Sequence, residues 1–215
     1  MQKLPVFGLG LLVPALILCF CNAQQPAASP KPNFAVISDS IPYDLHNPSL
    51  SIHLVNEALK EISGLSPTET EGTYIAIADE RGEVFFVDGN GGGAVTKQVL
   101  FREKGDFEGI EMVGNTIWAA KSNGDLYEIT HWEKDTPPAV EEYKTFLKKT
   151  NDVEGLAYDP WRKSLLLACK EHPDSLYPRN IFTFDLNEKS LDRTPAYIID
   201  PAEVNQLVPY GETEK

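Results

Sequence analysis

Short apolar stretches alternate with turns rich in glycine and charged residues along most of the chain, a pattern typical of β-strands and not of long helices. These stretches are rich in β-branched and aromatic residues, which favour strands. They fall into three successive groups, and the predicted strands are residues 73–78, 83–88 and 97–101, then 116–120, 125–129 and 142–146, then 164–169, 180–185 and 196–199. The chain is therefore predicted to be all-β.

A short motif precedes each group of strands: an acid, an apolar residue, Ser or Glu, Gly, and then Leu or Ile. Its glycines, Gly64, Gly109 and Gly155, are spaced 45 and then 46 positions apart. A repeat in the forties is the length of one propeller blade. With the motif counted as a strand, each unit has four strands, and a four-stranded antiparallel sheet repeated radially forms a β-propeller. Glycine at this position predicts close approach of another backbone.

The repeat predicts a propeller domain over residues 34–215, with blades near residues 57–102, 103–148 and 149–199. About three blades are too few to close a ring, because common propellers have about four to eight. Residues 200–215 are polar and carry no further blade pattern. Two interpretations stay open: the chain is a C-terminally truncated propeller, which we favour, or it self-associates to close the ring.

The first 23 residues have the pattern of an export signal. Lys3 supplies a positive charge, and residues 4–20 are almost wholly apolar. That length is short for a helix that spans a membrane, and its position at the start of the chain favours a secretory signal.

Two endings of this signal remain open. The sequence of residues 21–23 (CNA) suits cleavage before Gln24, whereas residues 18–21 (LCFC) are similar to a lipobox, in which Cys21 becomes the lipidated first residue. The Pro-rich residues 24–33 form a flexible linker of the kind that a tethered domain needs. We favour an exported lipoprotein held in the cell envelope by a lipid anchor on the membrane. A periplasmic or secreted protein and an uncleaved membrane anchor are the alternatives.

The acids of the repeated motif are candidate metal ligands. Residues i and i+2 of a strand face the same way, so two motif positions are expected to face the central channel of a propeller. Carboxylates gathered there repel one another unless a cation, a proton or water intervenes. Oxygen-only ligands select a hard ion such as calcium. The predicted metal ligands are Glu61, Asp106, Glu108, Asp152 and Glu154.

The same acids have two other interpretations. They can accept hydrogen bonds from backbone amides of neighbouring blades and so hold the ring together, or one of them can be a catalytic acid or base. The net charge of −13 repels phosphate backbones and argues against a nucleic-acid partner. Cys169 follows an apolar run and is expected to be a buried strand residue.

These motifs resemble the SdiA-regulated family of exported bacterial β-propellers. The resemblance rests on residues 61–65 (EISGL), 106–110 (DFEGI) and 152–159 (DVEGLAYD), and residues 165–170 (LLLACK) resemble the lipoprotein branch of that family. It covers roughly residues 52–199. The resemblance implies a six-bladed propeller with calcium, of which this chain would hold about three blades.

Two classes of function are compatible with the sequence. The first is a non-enzymatic binding module of the cell envelope, which binds calcium and an unknown ligand or protein partner at one mouth of the channel. The second is a calcium-dependent hydrolase, similar to propeller lactonases or phytase-like esterases, in which the same carboxylates hold the metal. The absence of a recognisable nucleophile motif favours the binding module.

Overall fold

The computed structural model describes residues 56–90, 92–134, 136–170 and 178–207, which all belong to one compact unit, Ser49–Lys215. The predicted signal at residues 1–23, the linker at residues 24–33 and the lipidation site Cys21 lie outside the described residues. Within the described ranges, no helix has the length and apolar character needed to cross a membrane.

The described residues form three antiparallel sheets, each made from strands that are consecutive in the chain. Blade 1 contains β1 (Ile62–Pro67), β2 (Thr73–Ala78), β3 (Gly82–Asp88) and β4 (Ala94–Arg102). Blade 2 contains β5 (Phe107–Val113), β6 (Thr116–Lys121), β7 (Leu126–Thr130) and β8 (Ala139–Tyr143). Blade 3 contains β9 (Val153–Asp159), β10 (Ser164–Cys169), β11 (Arg179–Asp185), β12 (Ser190–Leu191) and β13 (Tyr197–Ile199).

Short helical segments connect or follow the blades. One 3-10 helix (Glu57–Leu59) precedes β1 and a second (Lys149–Asn151) precedes β9, while helix α1 (Pro201–Leu207) follows β13. In blade 3, both β12 and β13 pair with β11, so they share the role of outermost strand.

Two apolar layers hold the three sheets together. Between blades 1 and 2, side chains such as Ile75 and Phe86 meet Phe107 and Tyr127. Between blades 2 and 3, Trp118 and the other face of blade 2 meet β10 and β11. Blade 2 is therefore covered on both faces, as a blade inside a propeller is, and the all-β propeller fold predicted from the repeat is confirmed.

The innermost strands of successive blades lie against each other, β1 against β5 and β5 against β9. A Cβ atom added to Gly64 would lie 2.8 Å from the backbone nitrogen of Ile110, and one added to Gly109 would lie 2.6 Å from Cβ of Leu156. Neither gap admits a side chain. The prediction that the motif glycines permit close backbone approach is confirmed at these two positions.

The strand prediction was wrong at the edge of blade 2 and incomplete after blade 3. The outer strand lies at Ala139–Tyr143, not at residues 142–146, because the chain leaves the sheet after Tyr143 and inserts Leu147 between blades 2 and 3. Strand β12, which makes blade 3 five-stranded instead of four-stranded, and helix α1 were not predicted. Cys169 is buried in β10 as expected, and this burial raises the pKa of its thiol to about 11.

Replacement of Gly109 tests the contact between inner strands. Gly109→Ala is expected to lower the free energy of unfolding by about 1–3 kcal/mol, because the new Cβ overpacks against Leu156. The measurement is urea unfolding of the wild type, Gly109→Ala, Leu156→Gly and the double variant. The loss caused by Gly109→Ala should be smaller in the Leu156→Gly background, where the opposing Cβ is absent. Additive losses would contradict the proposed contact.

Candidate acidic site at the start of the inner strands

A β-bulge lies near the start of the inner strand in each described blade. The register with the second strand shifts between Ile62 and Gly64, between Phe107 and Gly109, and between Val153 and Gly155. The extra residue in each blade is the one before the glycine: Ser63, Glu108 and Glu154. Bulges re-aim side chains and are common beside functional sites. The repeat therefore presents one polar residue per blade that is outside the strand ladder, at the same level along each inner strand.

The bulge changes how the paired acids come together. Simple alternation along a strand was expected to put the acid and the residue two positions later on one face. Instead, Asp106 and Asp152 precede their strands, and Asp152 adopts a left-handed backbone conformation with φ 50°. Asp152 and Glu154 still share a partner, because Lys170 Nζ lies 3.4 Å from Asp152 Oδ2 and 2.9 Å from Glu154 Oε1.

The first acid of blade 2 has partners of its own. Ser122 Oγ donates a hydrogen bond to Asp106 Oδ2, and Lys149 Nζ lies 3.7 Å from the same oxygen. Three of the predicted ligands are thus hydrogen-bonded or paired with a cation. Among the described residues, none of the five predicted ligands accepts a hydrogen bond from a backbone amide of a neighbouring blade, so the ring-holding interpretation gains no support from these contacts.

Unlike Asp106, Asp152 and Glu154, Glu108 has no hydrogen-bond or ion-pair partner among the described residues. Its pKa is raised from 4.5 to about 7, first by burial and then by the negative charges of Glu154, Asp106, Asp79 and Asp152. The structure therefore brings four of the five predicted ligands into one electrostatic cluster. Near neutral pH this cluster takes up a proton or needs a cation.

Asp79 is a member of the cluster that the sequence pattern missed. It follows β2 at the position that Ser122 occupies after β6 and Lys170 after β10, as the strand registers show. The hairpin of blade 2 is shorter than the other two, so a fixed spacing from the motif glycine does not reveal this equivalence. Ser122 and Lys170 supply donors to the acids, whereas Asp79 adds another carboxylate.

The fifth predicted ligand, Glu61, lies to one side of the cluster. It is not among the charges that raise the pKa of Glu108 most. Glu61 and Asp79 instead line a cleft of about 390 Å³ beside the first 3-10 helix. Within the described residues, Asp79 Oδ1 is buried without a hydrogen-bond partner. Asp79 is therefore the residue that links the cleft to the acidic cluster.

The donor chemistry of this region suits a hard cation, but the arrangement does not yet surround one. All five predicted ligands offer carboxylate oxygens, which calcium prefers. In the part of the chain that the structure describes, no three Asp, Glu, His or Cys side chains are positioned to hold a metal ion together. Lys170, which pairs with Asp152 and Glu154, lies where a bound cation would compete with it.

Comparison with known proteins agrees with the family resemblance of the repeated motifs. The family model for SdiA-regulated proteins matches residues 39–207, which is most of the chain. The chain belongs to the SdiA-regulated family. No curated protein matches the chain.

This SdiA-regulated protein is also similar to solved structures. Hydrazine synthase from Kuenenia stuttgartiensis matches with 13% identity and a TM-score of 0.42, over 68% of this chain and 51% of that structure. The β-propeller domain of Cps50 (Swd1) from Myceliophteria thermophila matches with 15% identity and a TM-score of 0.41, over 64% of this chain and 43% of that structure. The chain therefore spans about half the length of these two structures.

The raised pKa of Glu108 predicts a pH-dependent stability of this SdiA-regulated protein. The folded chain holds the Glu108 proton more tightly than the unfolded chain, so this stabilisation is complete below about pH 4.5 and is lost as the pH rises through about 7. Glu108→Gln is expected to flatten this decline and to raise the melting temperature at pH 8 by roughly 2–4 °C. Thermal unfolding of the wild type and of Glu108→Gln between pH 5 and pH 8 measures the decline in stability and the melting temperature at pH 8.

Glu69→Gln is the matched control, since Glu69 lies in the β1–β2 turn at the opposite end of the inner strands. It should keep the wild-type decline. A decline in Glu108→Gln as steep as that of the wild type would show that Glu108 is not the titrating group.

Proposed function

We propose that the chain is a binding module of the cell envelope, a β-propeller whose acidic cluster binds a cation and through it a ligand. The observation that carries this proposal is the pKa of Glu108, raised to about 7 by burial and by four neighbouring carboxylates. Such a cluster favours any ligand that brings positive charge. The ligand is expected to be cationic or metal-bound, which agrees with the strongly acidic composition.

Calcium is the cation that we propose for this site. The carboxylates and nearby backbone carbonyls are hard oxygen donors, and outside the cytoplasm a weak site suffices for calcium. The ammonium group of Lys170 has to move away from Asp152 and Glu154 before these carboxylates can bind calcium. The Lys170 side chain is 58% exposed, so water can solvate its charge after it moves. Protonation of Glu108 would compete with binding, so calcium affinity should rise as the pH rises through about 7.

Calcium titration of purified protein by calorimetry tests this site. Glu108→Gln combined with Glu154→Gln is expected to weaken calcium binding at least tenfold, because two of the clustered carboxylates lose their charge. Lys170→Gln is expected to strengthen it several-fold, because the competing ammonium group is gone. The matched control is Glu69→Gln combined with Glu133→Gln, which changes the net charge equally in two turns away from the cluster.

Unchanged calcium binding in the Glu108 and Glu154 double variant would refute the site. The hydrolase alternative predicts more than binding: wild-type protein would then release product from an ester or phosphate ester only with calcium present. The raised pKa of Glu108 would suit a general base in such a reaction. Calcium binding without any such turnover would favour the binding module.

The envelope part of the proposal depends on Cys21. We expect Cys21→Ser to release the protein from the membrane fraction, because the lipid-bearing residue is lost, whereas Cys19→Ser should leave it membrane-bound. Fractionation of cells and incorporation of labelled fatty acid measure this. A Cys21→Ser protein that stays labelled and membrane-bound would contradict the lipid anchor.

A further inference from the structure

A second cleft lies between blades 1 and 2, at the end of the inner strands opposite to the acidic cluster. The β1–β2 turn of blade 1 forms one side of it, and the β5–β6 turn and the loop after β7 in blade 2 form the other. Its volume is about 220 Å³. We call it the turn cleft. Because a buried apolar layer joins blades 1 and 2, the packing of the described residues fixes both sides.

Aromatic and thioether side chains form the apolar part of the turn cleft. The ring of Trp132, in the loop after β7, stacks on Phe86 of blade 1, with 4.8 Å between the ring centroids. Trp132 Nε1 donates a hydrogen bond to Asn115 O at 2.9 Å, so contacts with both blades hold the ring. Met112 lines the same cleft, and Trp132 and Met112 are both half-buried. A ligand in the turn cleft therefore meets a rigid apolar surface.

Uncharged polar groups form the other part of the turn cleft. Thr68 Oγ1 accepts a hydrogen bond from Thr70 N at 3.1 Å and donates one to Thr70 O at 3.2 Å, which holds the β1–β2 turn in place. Among the described residues, the hydroxyls of Thr70 and Thr73 and the Oδ1 atom of Asn115 have no hydrogen-bond partner. All three groups belong to residues that line the cleft, so a ligand can bind them.

The repeat alone does not account for these hydroxyls. Beyond the last paired residues of its first hairpin, blade 1 has residues 68–73 (TETEGT), blade 2 has residues 114–115 (GN) and blade 3 has residues 160–163 (PWRK). Of these three turns, only that of blade 1 contains a hydroxyl side chain. A blade therefore forms this hairpin without threonine, and the threonines of blade 1 are available for another role.

The two parts of the turn cleft match the two surfaces of a sugar ring. A pyranose has C–H groups on its faces, which pack against aromatic side chains, and hydroxyls at its edge, which donate and accept hydrogen bonds. The cleft volume of about 220 Å³ is below the range of about 300–1,000 Å³ for drug-sized ligands, so it suits one ring. A purely apolar ligand would leave the threonine hydroxyls unpaired, which is unfavourable.

We propose that the turn cleft binds one pyranose ring of a neutral carbohydrate. A face of the ring would pack against Trp132 and Met112, and its edge would form hydrogen bonds with Thr70, Thr73 and Asn115. The only charged residue of the cleft lining is acidic, and the net charge of the chain is −13, so anionic sugars are disfavoured. This site is separate from the acidic cluster and needs no calcium.

Titration of the purified full chain with sugars tests the proposal. A polyoxyethylene detergent is used, because glycoside detergents would compete for the cleft. The probes are methyl glycosides of glucose, galactose, mannose and N-acetylglucosamine, with glucuronate as the anionic comparison. Trp118 is 2% exposed, and Trp161→Phe removes the tryptophan that is 92% exposed, so fluorescence changes on binding report on Trp132. We expect millimolar binding of at least one neutral sugar and no binding of glucuronate.

Thr70→Val combined with Thr73→Val removes two hydroxyls and nearly keeps the side-chain shape. This double variant is expected to weaken sugar binding about tenfold, because two hydrogen bonds are lost. Thr183→Val combined with Thr194→Val is the matched control, with one half-buried and one exposed threonine of blade 3, and it should bind like the wild type. Circular dichroism and the melting temperature check that both double variants fold. A calcium chelator should leave the affinity unchanged.

Three results would overturn the proposal: a wild type that binds none of the neutral sugars, an unchanged affinity in the Thr70 and Thr73 double variant, or binding that a calcium chelator abolishes. The last result would assign the sugar to the acidic cluster. An oligosaccharide of the bound sugar distinguishes two sources of the ring. Tighter binding of the oligosaccharide than of the methyl glycoside would support a glycan chain as the ligand, and equal affinity would support a free sugar.

Discussion

The inner strands of successive blades approach so closely that only glycine fits at the point of contact. Gly64 lies against the backbone of Ile110, and Gly109 lies against Leu156. This contact fixes the distance between neighbouring sheets, and the apolar layers outside it then have room for large side chains such as Trp118 and Tyr127. Ser63 strengthens the joint, because its hydroxyl donates to Phe107 O at 2.6 Å. Packing between the blades depends on this spacing at the inner edge.

The same closeness creates the acidic cluster. Bulged residues immediately before the glycines stand at one height on adjacent strands, so Glu108 and Glu154 become neighbours although 46 positions separate them in the chain. Part of the resulting repulsion is relieved by local donors, Lys170 for Asp152 and Glu154. Glu108 is left without such relief among the described residues, and its pKa rises accordingly. A concentration of negative charge at the start of the inner strands therefore follows from how the blades pack.

The middle blade differs from blades 1 and 3 in how many of its faces another described blade covers. Blade 2 has an apolar layer on each face, so its inner strand is covered from both sides and Ile110 is 2% exposed. Blades 1 and 3 each have one face that no described blade covers. On those faces Leu65 is exposed and Ala168 is half-buried. Equal sequence motifs therefore have different surroundings, and the difference locates the surfaces that can take another blade.

The sequence by itself determined the all-β class, the four-stranded units and their spacing, because strand periodicity and turn residues are local properties that repeat three times. It also identified four acids that do come together. Only the tertiary structure decided the rest. The bulges, the separation of Glu61 from the cluster and the entry of Asp79 into it depend on how strands align across sheets. The end of β8 at Tyr143 depends on the burial of Leu147 between two blades. Such contacts join residues far apart in the chain, so a local sequence pattern cannot predict them.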